Sequence, residues 1–129
     1  MVKARWAFIV LISMFGSILS PLQAQTTTGT WTKQTQVYLP PGRDSHAMAY
    51  DAENGQVVLF GGSTGSPTND TWVWDESRWI QKYPQLSPIS RIGHAMVYDR
   101  LRRQVLLFGG MVWGVYTSTI TPLDDTWAW

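Results

Sequence analysis

The chain has 129 residues, with ten Lys and Arg against nine Asp and Glu and no cysteine. That length holds one ordinary domain, and the balanced charge gives no electrostatic reason to expect nucleic acid or an anionic membrane as partner. The missing thiols exclude disulfides, thiolate metal sites and cysteine nucleophiles.

Lys3 and Arg5 open the chain with positive charge, and residues 6–19 follow without a charged group before Pro21. Leu22, Gln23 and Ala24 then place a small residue before Gln25. This is the layout of a secretory signal peptide over residues 1–24. The uncharged run falls short of the ~20 residues of a spanning helix. The other reading is an uncleaved anchor or tether, favoured only by the mediocre Leu22 at the cleavage site. Loss of Lys3 and Arg5 leaves eight basic groups against nine acidic ones. The expected location is secreted or otherwise extracytoplasmic, in a periplasm or at a cell surface. Such a compartment permits disulfides, so a cysteine-free fold there is held by its core. Seven of the eight tryptophans lie beyond residue 24, and aromatic side chains bury large areas.

Residues 25–30 are a polar Thr/Gly leader. From Trp31 onward the chain repeats. Arg43, His46, Ala47, Met48, Tyr50 and Asp51 recur 48 positions later as Arg91, His94, Ala95, Met96, Tyr98 and Asp99. Gln56, Val57, Leu59, Phe60, Gly61 and Gly62 recur at the same offset as Gln104, Val105, Leu107, Phe108, Gly109 and Gly110. Trp31 and Trp79 keep that offset, as do Pro40 and Pro88. Asp70-Thr71-Trp72 matches Asp125-Thr126-Trp127 at 55, so seven extra residues stand between the second double glycine and its triplet. Identity at a fixed offset, with the slip confined to one connection, marks a tandem repeat.

Each unit reads as four short strands. Residues 46–50 alternate small and large. Glu53-Asn54-Gly55 is a tight turn with residues that tolerate positive φ. Residues 56–60 form an apolar run suited to a strand covered on both faces, and Gly61-Gly62 ends it where a side chain would obstruct. Residues 70–75 alternate again, with Trp72 and Trp74 on one side, and residues 79–82 supply the fourth strand. Residues 31–36 match that fourth strand without a unit of their own. The expected class is all-β, and this spacing suits a propeller blade better than a sandwich.

The pattern Arg-x-x-His-Ala-Met-x-Tyr-Asp, then Val-x-Leu-Phe-Gly-Gly, then Asp-Thr-Trp-x-Trp and a further tryptophan resembles the Kelch repeat, over residues 31–129. The WD repeat is the rival: Gly93-His94 and Trp74-Asp75 echo its dipeptides, but they fall in different units, and that family lacks the double glycine after the second strand. The resemblance implies propeller blades of four antiparallel strands, here an incomplete ring of about two, at residues 40–87 and 88–129 with the second truncated. Two blades do not close a ring. Either the chain is the front of a longer protein, the favoured expectation, or several chains join, each leading strand completing a neighbour's last blade through the unpaired strand edge.

The repeat also disciplines the tempting side chains. His46 and His94 are the only histidines, and both fill one slot beside Arg43 and Arg91. A residue present at the same slot of successive units holds the unit together, whereas a catalytic residue is needed once. The expected roles are an imidazole bonded to neighbouring backbone and an arginine bridging blades, set against a ligand-facing histidine. Tyr50, Tyr98, Trp72, Trp127 and Trp79 read as packing, and Asp51 and Asp99 as bonding into the following turn. The glycine pairs lack the helix and the Lys-Ser/Thr of a phosphate loop. Asn69-Asp70-Thr71 is formally a glycosylation acceptor but lies at a structural turn. Arg100, Arg102 and Arg103 form the one basic cluster, expected as a solvated turn. Residues 111–124 are what the repeat leaves unexplained. They carry more apolar bulk than a solvated loop should and should stand near residues 83–90; the segment reads either as a loop packed on its own blade or on a neighbouring one, or as a binding loop with Met111, Trp113 and Tyr116 as the candidate residues.

No nucleophile beside a base, paired carboxylate or metal cluster is visible, so catalytic, cofactor-binding and metal residues are expected to be none. The leading function is a non-catalytic scaffold binding a protein or glycan, with no nucleic acid and no membrane beyond the signal segment. Two alternatives stand beside it. One is the front of a propeller enzyme, such as a carbohydrate oxidase, with its catalytic residues in other blades; the copper-dependent members need a tyrosine linked to a cysteine, which this chain lacks. The other is an inactive truncated product.

Overall fold

The structure is a computed structural model that describes residues 29–36, 38–114 and 119–129. The expected signal segment lies outside the described residues. The chain divides into two compact units, Met1–Lys33 and Gln34–Trp129. In the first, the described residues form no strand, and Trp31 is fully exposed. The lone fourth strand expected at residues 31–36 is therefore not formed. Those residues join no ladder, and a strand without a neighbour is not stable in water. Gln36 instead clamps a turn with its amide. Its Nε2 donates to Ser77 O at 2.6 Å, and its Oε1 accepts from Trp79 N at 3.1 Å.

The second unit is all-β, with antiparallel sheets and no helix among its described residues. The first repeat folds as β1 (Ala47–Asp51), β2 (Gln56–Phe60), β3 (Thr71–Trp74) and β4 (Trp79–Lys82), paired in chain order as a four-stranded sheet. The second gives β5 (Ala95–Asp99) and β6 (Gln104–Phe108), a hairpin of β7 (Met111–Trp113) and β8 (Ile120–Pro122), then β9 (Thr126–Ala128). β5, β6 and β9 form a three-stranded sheet, with β7 and β8 apart from it. The register repeats with the sequence. Ala47 faces Phe60 and Leu59 faces Trp72; Ala95 faces Phe108 and Leu107 faces Trp127.

Side chains alternate across a strand, so this register sorts each sheet into two faces. In the first sheet Ala47, Ala49, Val58, Phe60 and Val73 share one face, the alanine face; Met48, Tyr50, Val57, Leu59 and Trp72 share the other, the tyrosine face. In the second sheet Ala95, Val97, Leu106 and Phe108 make the alanine face, and Met96, Tyr98, Val105, Leu107 and Trp127 the tyrosine face. The core lies where the alanine face of the first sheet meets the tyrosine face of the second. Val58, Val73 and Val105 are each 1% exposed at its centre, with Ala49, Ile80, Met96 and Tyr98 packed around them. The cleft left between the sheets, about 60 Å³ and lined by Phe60, Met96, Leu107, Trp127 and Pro88 among others, is far below the ~300 Å³ of a small-molecule site.

Both hairpins that open the sheets turn by the same device. Asp51 Oδ1 accepts from the backbone N–H of Glu53 at 3.1 Å, and Asp99 Oδ1 from those of Leu101 and Arg102 at 2.9 and 3.1 Å. The fourth loop residue then needs positive φ. Gly55 supplies it at 63° without strain, whereas Arg103 adopts 55° in the same slot. Ser45 (φ 53°) and Gly93 (φ 65°) are a second such pair. A side chain in this region costs about 1 kcal/mol. Arg103→Gly and Ser45→Gly should each raise the unfolding free energy by about 0.5–1 kcal/mol, the exposed Arg103–Glu53 pair contributing little against it. Urea denaturation checks this, and a lower midpoint for both variants would show that neither slot is strained.

Candidate functional site

Three connections converge at one end of the sheets: residues 61–70, the crossover 83–94 and residues 109–125. Backbone hydrogen bonds stitch them together. Gly62 N–H donates to Arg91 O at 3.0 Å, Arg91 N–H to Thr68 O at 3.1 Å, and Gly93 N–H to Ser45 O at 2.9 Å. The double glycines allow this approach. A Cβ on Gly62 would stand 2.6 Å from Asp44 O and 2.7 Å from His46 Cβ, and one on Gly110 2.8 Å from Ile92 O, both at positive φ.

Each arginine of the repeat closes a polar knot. Arg43 grips Asp70 with both terminal nitrogens at 2.7 Å and also donates to Gly61 O at 2.9 Å and Pro41 O at 3.2 Å. Trp72 Nε1 donates to Asp70 Oδ2 at 2.6 Å. Arg91 repeats every contact, with Asp125, Gly109 O, Ile89 O and Trp127 as partners. The guanidinium thus ties strands within one repeat, which corrects the expectation that it bridges two; Arg91 reaches the first repeat through its backbone. Asp70 and Asp125 were missed as its partners, although their recurrence ahead of the tryptophans was the available signal.

His94 joins the two sheets. His94 Nε2 lies 3.1 Å from Phe60 O, and its ring meets the Phe60 ring edge-on at 5.5 Å. A carbonyl only accepts, so Nε2 carries the proton and Nδ1 is left buried without a partner among the described residues, as is Nδ1 of His46. Burial pushes His94 below its ordinary value; the Phe60 carbonyl opposes this, and the charges of Arg91 and His46 add to it. Tyr98 is half-buried between the sheets, Tyr50 is exposed on the free tyrosine face, and Trp79 tilts against Trp74 with centroids 5.7 Å apart. In the basic cluster, Arg102 pairs with Asp99 and Arg103 with Glu53. Among the described residues no three His, Asp or Glu side chains are grouped to hold a metal ion.

The segment read as a loop, residues 111–124, is a hairpin anchored at both ends. Met111 and Ile92 exchange backbone hydrogen bonds at 2.9 and 3.0 Å, and Leu123 N–H donates to Gly110 O at 2.9 Å. It therefore stands on the crossover at Ile92, just past the residues 83–90 expected for it. Gly114 N–H bonds Thr119 O at 2.9 Å. Trp113 lies directly opposite Ile120, and the two are 49% and 62% exposed. Met111 is half-buried beneath, its methyl toward Gly93. Tyr116 lies outside the described residues. The structure brings Met111 and Trp113 into one hairpin and keeps the arginines and histidines out of it. No helix among the described residues is long and apolar enough to cross a membrane. No protein-family model matches the chain, and no curated protein matches it.

Asp70→Asn leaves the Arg43 side chain, only 3% exposed, without its counter-charge, and should cost about 3 kcal/mol. Burial raises the Asp70 pKa, but the hydrogen bonds from Arg43, Trp72 and Thr68 outweigh it and hold the group at about 2, against an ordinary 3.8. The folded pKa is the lower one, so this stabilisation is complete above pH 3.8 and is lost as pH falls toward about 2. Urea midpoints between neutral pH and pH 2 should drop along that limb in the wild type and more shallowly in the variant. Parallel curves would remove the pair from the acid response.

Proposed function

We propose that the chain is a segment of a Kelch-type β-propeller, its two sheets being two blades, exported by its N-terminal segment and serving as a non-catalytic scaffold that binds a protein or glycan. Support for the blade reading comes from the four-strand meander, its register recurring in the second repeat, and sheets packed face to face with connections gathered at one end. The observation that carries the binding reading is the Trp113–Ile120 pair. Two large apolar side chains stand exposed on a hairpin whose base is held by main-chain bonds to the crossover. A rigid aromatic on a pinned loop contributes contact area at small entropic cost, whether to a sugar face or to an apolar protein side chain.

The test screens the purified chain against immobilised glycans and against surface proteins of its source cell, then repeats each hit with Trp113→Ala and Ile120→Ala. Both side chains are solvent-facing, so the variants should melt with the wild type. Binding should weaken at least about tenfold for Trp113→Ala, as expected of an aromatic anchor. Ligands bound equally by both variants would move the site off the hairpin, and an absence of ligands in both screens would sink the reading.

A further inference from the structure

His94 bonds across the junction between the two sheets from a place almost without water. It is 6% exposed, its Nε2 donates to Phe60 O, and its ring stands edge-on to the Phe60 ring. Its Cε1, the carbon between the two ring nitrogens, lies so near Gly61 that a Cβ there would come within 3.2 Å. Nε2 already holds the proton of the neutral ring. A second proton can go only to Nδ1, which is buried with no acceptor among the described residues. Protonation there would leave an unpaired N–H and a charge inside the protein, and burial disfavours both.

The neighbours make that charge harder to hold. Ahead of β1 stand Arg43, Asp44 and His46; Asp70 precedes β3, and Asp124 and Asp125 precede β9. Arg91 lies on the histidine's own segment. Arg91 and His46 both oppose a charge on His94. The carboxylates of Asp70 and Asp125 are gripped by Arg43 and Arg91, and Asp44 and Asp124 are exposed. No carboxylate among the described residues bonds the imidazole.

We infer that His94 is an acid-sensitive latch between the two repeats: the neutral imidazole holds the crossover on the first sheet, and its protonation in mildly acidic solution releases the junction. The bonds that open with it lie on the same stretch of chain. They are Gly62 N–H to Arg91 O, Arg91 N–H to Thr68 O and Gly93 N–H to Ser45 O. Burial fixes the sign. It holds the folded-state pKa below the ordinary 6.5, with the Phe60 carbonyl opposing in part. The latch therefore contributes its full stability above pH 6.5 and loses it as pH falls below that value toward the folded pKa. The inference concerns the junction alone and is independent of what the hairpin binds.

Native-state hydrogen exchange of the purified full chain, between about pH 8 and about pH 5, tests it. The opening constants of the Gly62, Arg91 and Gly93 amides should be level above pH 6.5 and rise about tenfold for each unit of pH below it, the linkage of one proton. His94→Gln carries an amide nitrogen as many bonds from Cα as Nε2, so it keeps a donor for Phe60 O and does not titrate. Its opening constants should stay level to within about twofold over the same window. His46→Gln should keep the wild-type slope. A reading on the wild type alone covers the case in which His94→Gln fails to fold. At pH 6.5, where an unperturbed imidazole is half charged, the His94 ring should still give the nuclear magnetic resonance signal of the neutral form. A His94 already half charged there, a slope that survives in His94→Gln, or a slope that disappears in His46→Gln would each overturn the inference.

Discussion

The buried arginine is the constraint on which the repeat depends. Arg91 has no exposed side-chain surface, and its charge is answered by the Asp125 carboxylate, by two carbonyl oxygens and, through that carboxylate, by the Trp127 indole. A lone charge in such a place costs several kcal/mol, and bidentate pairing with all three guanidinium nitrogens bonded is the arrangement that offsets it. The geometry it demands is strict. Asp125 must sit just before β9, the Gly109 carbonyl must point inward, and the chain before Arg91 must turn so that Ile89 O faces the guanidinium. Strand β9 therefore starts where the carboxylate allows, and β3 does the same behind Asp70.

This polar framework matters more because the apolar core is thin. Among the described residues three valines form its buried centre, while Leu59, Phe60, Trp72 and Leu107 are buried toward the ends of inner strands. Two small sheets joined by so little aliphatic surface would slide by a register without directional bonds at one end. Those bonds are the His94–Phe60 contact and the exchange among Gly62, Arg91 and Thr68, which lock the sheets where side chains are smallest. The double glycines are the geometric condition for this, since a methyl group there would enter the space of a neighbouring carbonyl.

Much of the first repeat was legible from residues alone. The limits of β2 and β4 coincide with the apolar run at residues 56–60 and the fourth strand expected at 79–82. β1 begins one residue later than expected because His46 leaves the ladder. β3 is trimmed at both ends because Asp70 turns to Arg43 and Asp75 caps the next turn through Ser77 and Arg78. Repetition set Arg43 and the glycine pairs in matched slots, and in both copies the guanidinium bonds the carbonyl of the first glycine while that glycine's N–H bonds the aspartate ahead of β3 or β9. It could not say where the guanidinium reaches, because the Asp partners lie 27 and 34 positions away and that spacing shifts with the insertion. The hairpin of β7 and β8 was illegible for a related reason: it has no counterpart in the first repeat to compare with.

The insertion shows how the repeat accommodates extra chain without losing its ladder. In the first copy Asp44 and Ser63 exchange two backbone bonds, at 2.9 and 3.1 Å; Ile92 and Met111 make the same bridge in the second. Gly61 N–H bonds Asp70 O, and Gly109 N–H bonds Asp125 O, both at 3.1 Å. The connection thus leaves and re-enters each sheet through identical contacts, and the seven added residues are confined between them. Lengthening a loop whose ends are already fixed costs little entropy, so the scaffold tolerates the hairpin while the hairpin inherits the scaffold's rigidity. Trp113 and Ile120 stand on a part of the chain that can change without disturbing the knots, which is where a binding function is most readily built.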